Sequence, residues 1–199
     1  MPVGTLVIEP ARHRRMRMNG RAEPTSDGLR VTLDQIYSNC PKYIQKRTHR
    51  WEPSSVPGTP RRSRELTDDQ RKFIAEADTF FIATADRDGN ADASHRGGDP
   101  GFVQVLSPTV LRWPDYVGNA MFNTLGNLEV NPSAGLLFPD WRTGTTLQLT
   151  GIARTDWDPE HAAVIPGAQR LVEFTVTHAI EIPAAAPLRW DEPVLSRFN

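Results

Sequence analysis

Proline and glycine interrupt this chain too often for long helices. Its 17 prolines and 14 glycines are spread through 199 residues, and proline both lacks a backbone donor and ends helices from within. Short strands joined by frequent turns are what fits between such breaks. One late stretch shows the pattern plainly: Val172, Phe174, Val176, Ile180 and Ile182 alternate with Glu173, Thr175, Thr177, Ala179 and Glu181. A period of two predicts a half-buried strand.

Charge and cysteine content narrow the function classes. With 23 Lys and Arg against 24 Asp and Glu, the net charge is −1, so no global field draws the chain to nucleic acid or to an anionic membrane. No apolar run approaches the ~20 residues of a membrane helix, and the start MPVGTLVIEPARHRR lacks a secretory core, which makes the cytoplasm the expected compartment. Cys40 is the single cysteine. An intrachain disulfide is therefore impossible, and five scattered histidines give no metal-ligand spacing. No metal is expected.

The chain divides by composition. RHRRMR and KYIQKRTHR make the first part basic, and WEPSSVPGTPRRSR, residues 51–64, has the prolines and small polar residues of a linker. Residues 1–50 read as one unit and 65–199 as the main domain. In the main domain Thr67 and Gln70 form a helix-start pair, TFFIATA is a strand, and Asp88-Gly89 is a hairpin turn. A second hairpin turns at Ser107-Pro108. Met121, Phe122, Leu125 and Leu128 predict an amphipathic helix running from Asn119 to Asn131-Pro132. GLLF and TTLQLTGIA return to strand texture. Asp158-Pro159 opens a short helix that stops at Pro166-Gly167, and the alternating strand follows. The fold class is mainly β (α+β), better served by an antiparallel barrel than by a parallel sheet.

Residues 4–22, GTLVIEPARHRRMRMNGRA, echo residues 135–153, GLLFPDWRTGTTLQLTGIA, without a gap. Four positions are identical, and Val7/Phe138, Met16/Leu147 and Met18/Leu149 are alike in kind. Residues 1–50 are then a partial repeat, the closing strands of a first barrel. Such strands have bare edges that the main domain or a partner must cover. Deleting them is expected to expose apolar surface.

From Ser94 to Ala153 the motifs SHRGG, DYVGN, TLGNL, NPSAGLLF and LQLTG occur in order. This stretch resembles the predicted flavin-nucleotide-binding proteins related to pyridoxamine 5'-phosphate oxidase, with the resemblance covering about residues 65–182. It implies a six-stranded antiparallel split β-barrel, a homodimer, and FMN between subunits. Asn119, at the expected helix start, is either a phosphate donor or a plain cap; amides at such a start attract anions. Asn123 and Thr124 fall where the oxidases carry Ser-Arg-Lys phosphate contacts, so either neutral groups replace charged ones there or the two are solvent-facing helix residues. Arg96, beside Gly97-Gly98, is either the compensating cation or a surface arginine in a turn. Trp113, Asp115 and Tyr116 could line the ribityl or ring site, or serve as core and turn residues. Gln148 could reach a flavin carbonyl across the dimer, or make a cross-strand pair.

No catalytic acid or base is assignable. His95 reads as structural or surface, Cys40 as a small packing residue, and Lys42 and Tyr43 as residues that could approach a flavin in the partner. The resemblance implies an FMN-dependent oxidoreductase with NAD(P)H as a candidate donor. The alternative is a non-catalytic flavin, haem or bilin storage protein. Pyridoxamine 5'-phosphate oxidation itself is the weaker reading, because the basic substrate contacts are not recognisable.

Overall fold

The structure, a computed structural model, describes residues 1–38, 40–118 and 122–194. Three strands open the chain: β1 (Pro2–Glu9), β2 (Arg14–Thr25) and β3 (Gly28–Ser38), with a single 3-10 turn at Pro10–Arg12. They form a sheet of their own, in order β1-β2-β3. Two short strands follow, β4 (His49–Trp51) and β5 (Arg61–Ser63). β5 is an edge strand on Ala179–Glu181 at the far end of the chain, so the proline-rich segment ends by joining the main sheet.

Helix α1 (Asp68–Glu76) starts where local chemistry puts it, since the Thr67 hydroxyl accepts from Gln70 N while the Gln70 side chain accepts from Thr67 N. Then come β6 (Thr79–Ala85), β7 (Ala91–Gly97), β8 (Gln104–Ser107), β9 (Val110–Tyr116), α2 (Asn123–Val130), β10 (Ser133–Pro139), β11 (Thr146–Asp156), α3 (Pro159–Ala162), β12 (Ala168–Ile182) and β13 (Leu188–Trp190). The main sheet runs β7-β6-β10-β11-β12-β9-β8, antiparallel at every pairing. Its two ends, β7 and β8, do not pair among the described residues, as in a split barrel. Inside lie Phe80, Leu111, Trp113, Leu136, Phe138, Leu147 and Phe174, all buried. Phe80 joins the walls, with Trp113 edge-on at 5.1 Å and Phe138 stacked at 5.2 Å.

Two expectations change at this level. Helix α2 starts at Asn123, four residues late, because Phe122 takes a left-handed conformation (φ 51°) just before it. In β12 the alternation slips at a bulge opposite Thr150/Gly151, which turns Ala179 inward and leaves Ile180 half-buried.

The two echoing segments are both hairpins, and their registers coincide. Gly4 opposes Asn19 in β1-β2, and their counterparts Gly135 and Thr150 oppose each other in β10-β11. The third strands agree as well: β3 bulges against Asn19/Gly20 and β12 against Thr150/Gly151. A methyl group on Gly20 would sit 2.0 Å from the Thr32 carbonyl oxygen, and one on Gly151 would sit 2.1 Å from that of Thr175. Only glycine fits either bulge.

The first sheet packs against β7 by the face that carries Leu6, Ile8, Arg15 and Arg17. Arg17 is buried there, donating to Asp92 Oδ2 at 2.8 Å and Ser94 Oγ at 2.6 Å. Tyr37 and Asn19, on the same face, reach Asp92 Oδ1 at 3.3 Å each. Asp92 thus has the several partners that a buried carboxylate requires.

Candidate functional site

A small cavity opens where β7, the end of β9 and the segment after β3 converge. Arg15, Lys42, Tyr43, His95, Arg96, Gly97, Asp115, Tyr116 and Gly118 are among its lining residues, and it measures about 30 Å³. Gly97 lets the walls meet, since a methyl group there would sit 2.2 Å from the Tyr43 carbonyl oxygen. The Tyr43 and Tyr116 rings stack at 5.3 Å, 21° from parallel. Tyr43 also donates to the Val117 carbonyl at 2.9 Å. Burial raises the pKa of both phenols, with Cys40 and Asp115 adding to it at Tyr43 and Asp99 and Tyr43 at Tyr116.

Positive charge concentrates here. Burial, then the charges of Arg15, Arg96, Arg17 and Arg47, holds the His95 pKa well below its ordinary 6.5. The ring is neutral, and Nδ1 accepts from Arg15 Nη1 at 2.6 Å, which leaves the proton on Nε2. Two of the four arginines are paired: Arg17 with Asp92, and Arg47 with Asp78 at 2.5 Å. The other two are not. Among the described residues no carboxylate is in ion-pair contact with Arg15 or Arg96, and Arg15 Nε is buried without a partner. Burial lowers both guanidinium pKa values to about 10, with neighbouring arginines adding to it and Asp115 opposing it at Arg96. Both remain cations at neutral pH. A desolvated pair of cations beside a lysine is an arrangement that stabilises an anion, above all a phosphate.

The expected site residues are not all brought together. Arg96, Asp115 and Tyr116 share this cavity, with Asp115 also accepting from Arg170 at 3.0 Å. Trp113 lies in the barrel core, because alternation along β9 turns it inward with Leu111. Asn123 lines a different cavity of about 570 Å³ that includes Asp34, Asp86 and Asp92, and its amide donates to Tyr37 at 2.5 Å. Carboxylates on that wall disfavour a phosphate. Thr124 is buried, its hydroxyl without a partner among the described residues. Gln148 is exposed on the outer face of β11, opposite Leu137 and Ile180. Asn119 lies outside the described residues.

Sequence reasoning missed Arg15 and gave His95 and Lys42 lesser roles. A signal existed: Arg15, Arg17 and Asn19 recur at period two, which marks one polar strand face rather than a diffuse basic run. Among the described residues no group of His, Cys, Asp or Glu is arranged to hold a metal ion. No helix is long and apolar enough to cross a membrane.

Residues 66–185 match the model of the family described as pyridoxamine 5'-phosphate oxidase. No curated protein matches the chain. Among solved structures, the chain is similar to a Lactobacillus delbrueckii protein assigned as a pyridoxamine 5'-phosphate oxidase, at 18% identity and TM-score 0.49, covering 59% of this chain and 94% of that one. An FMN-binding protein from Syntrophomonas wolfei aligns at 10% identity and TM-score 0.41, covering 55% and 80%. The FAD-binding protein of Mycobacterium smegmatis aligns at 14% and 0.41, covering 60% and 97%.

Proposed function

Because the chain belongs to the pyridoxamine 5'-phosphate oxidase family, we propose that it is an FMN-dependent oxidoreductase whose phosphate grip is the Arg15, Lys42 and Arg96 cluster. The observation that carries this reading is Arg15 and Arg96 on one cavity, neither in ion-pair contact with a carboxylate among the described residues. The residues fit the anionic end of the cofactor. Gly118, next to the cluster, has φ 117° and leaves its backbone open to close approach.

The ring end needs more room than one chain provides. A cavity of about 30 Å³ is far below the ~300 Å³ at which small-ligand clefts begin. The ring is therefore assigned to the outer side of the Tyr43 and Tyr116 pair, enclosed by a second copy in a homodimer. When bound, the flavin supplies two-electron transfer. The chain's own residues orient and exclude: Arg15, Lys42 and Arg96 fix the tail, and the two neutral tyrosines present flat faces. His95 fixes Arg15 and keeps one ring proton on Nε2. NADH or NADPH is the proposed donor, and the cytoplasm the proposed compartment.

The test is a visible spectrum of the purified chain reconstituted with FMN, followed by anaerobic addition of NADH or NADPH. A yellow protein that bleaches supports the oxidoreductase. One that stays yellow with both donors favours the storage reading, and one that rejects FMN overturns both.

A further inference from the structure

Two tryptophans stand outside the barrel core. Trp141 lies in the turn after β10 and Trp190 ends β13; both are half-buried, and neither belongs to the core cluster. Their rings meet at 80°, with centroids 5.3 Å apart. The backbone holds this corner. Trp190 N donates to the Trp141 carbonyl at 2.8 Å, and Asp140 closes the turn by accepting from Arg142 N at 2.9 Å and Thr143 N at 3.1 Å. Gly144 completes the turn at φ 72°, where a methyl group would sit 2.3 Å from the Ala186 carbonyl oxygen.

Both tryptophans line a cavity of about 290 Å³, close to the ~300 Å³ at which small-ligand sites begin. It shares no lining residue with the Arg15 and Arg96 cavity. Its wall is acidic, with Glu76, Asp140, Asp191 and Glu192 on it. Glu76 reaches Lys72 at 3.9 Å, and among the described residues no ion pair reaches the other three. Arg47 and Asp78, each 5% exposed, also line the cavity and pair with each other at 2.5 Å. That pairing leaves Asp78 Oδ1 without a partner among the described residues. The chain already sets a cation against this corner, since the Arg47 guanidinium lies 4.8 Å from the Trp141 ring centre.

We propose that this corner binds a small quaternary ammonium ion. Indole rings attract cations through their quadrupole, and tryptophan does so best of the aromatic side chains. A quaternary head has no N–H group to satisfy, so the rings need offer it no acceptor. A primary ammonium would instead give up strong hydration and three donor bonds on entering. The carboxylates around the corner supply an attractive field without having to touch the ligand. The same field opposes an anionic group on the ligand, which selects a free cation over a zwitterionic head group.

The test titrates the full chain with choline and with its neutral isostere 3,3-dimethylbutan-1-ol, followed by tryptophan fluorescence, with ethanolamine and phosphocholine as further probes. Choline should bind about tenfold more tightly than the isostere or ethanolamine, and more tightly than phosphocholine. Trp190→Ala should weaken choline about tenfold, while Trp190→Phe stays within about threefold. In E76Q/E192Q choline should weaken and the isostere should not. FMN affinity is expected to hold in all three variants, because the two cavities share no residue. The wild-type comparison keeps the test decisive if a variant does not fold. Choline binding no tighter than the isostere, ethanolamine or phosphocholine, or undiminished in Trp190→Ala, would overturn the proposal, whatever the flavin titration gives.

Discussion

His95 is a buried imidazole among arginines, and its protonation is coupled to folding. Its folded pKa lies well below 6.5, so below pH 6.5 the unfolded chain takes up a proton that the folded chain refuses. Stability then falls as pH drops through 6.5, by up to about 1.4 kcal/mol per pH unit, and this group contributes nothing above that range. In His95→Asn the side-chain oxygen can still accept from Arg15. The difference in urea midpoint between wild type and this variant should accordingly shrink steadily from pH 6.5 to pH 5. A difference that holds constant over the same range would show that His95 titrates normally. The residues legible in the sequence were those whose roles are local, such as Thr67, Asp88-Gly89 and Asp158-Pro159, which cap or turn the chain at their own position. Arg15 was not legible in this way. Its role arises from a contact with His95 across 80 positions of chain, which no local pattern encodes.

At the scale of elements, three glycines separate a required bulge from a tolerated gap. Gly20 and Gly151 each meet a carbonyl oxygen across the sheet, and alanine at either is expected to cost about 1–3 kcal/mol through overpacking. Gly126 lies within α2 with nothing in reach of an added methyl group. Alanine there should raise stability by about 0.5–1 kcal/mol by its helix propensity. Urea denaturation of the three variants checks this, and equal effects at all three would remove the structural distinction. The order of strands and helices was readable because turn chemistry and period declare themselves locally. The start of α2 and the phase of β12 were not. Phe122 in a left-handed conformation and the bulge opposite Thr150/Gly151 both depend on what packs against them.

The whole molecule consists of a split barrel and a three-stranded sheet whose Arg15 and Arg17 reach β7. Cutting away residues 1–50 was expected to expose apolar surface; the cut would remove from β7 the Arg17 contacts to Asp92 and Ser94, together with buried Ile44 and half-buried Leu6 and Ile8. The same arrangement brings Arg15 from the first sheet and Arg96 from the barrel onto one cavity, so the proposed anion grip belongs to neither part alone. A titration of the chain with FMN and with riboflavin, which lacks the phosphate, tests that grip most directly. FMN should bind about ten- to a hundredfold more tightly, and in Arg15→Gln and Arg96→Gln that preference should collapse while riboflavin affinity holds. Equal affinity for the two flavins in the wild type, or a preference that survives both substitutions, would contradict the account.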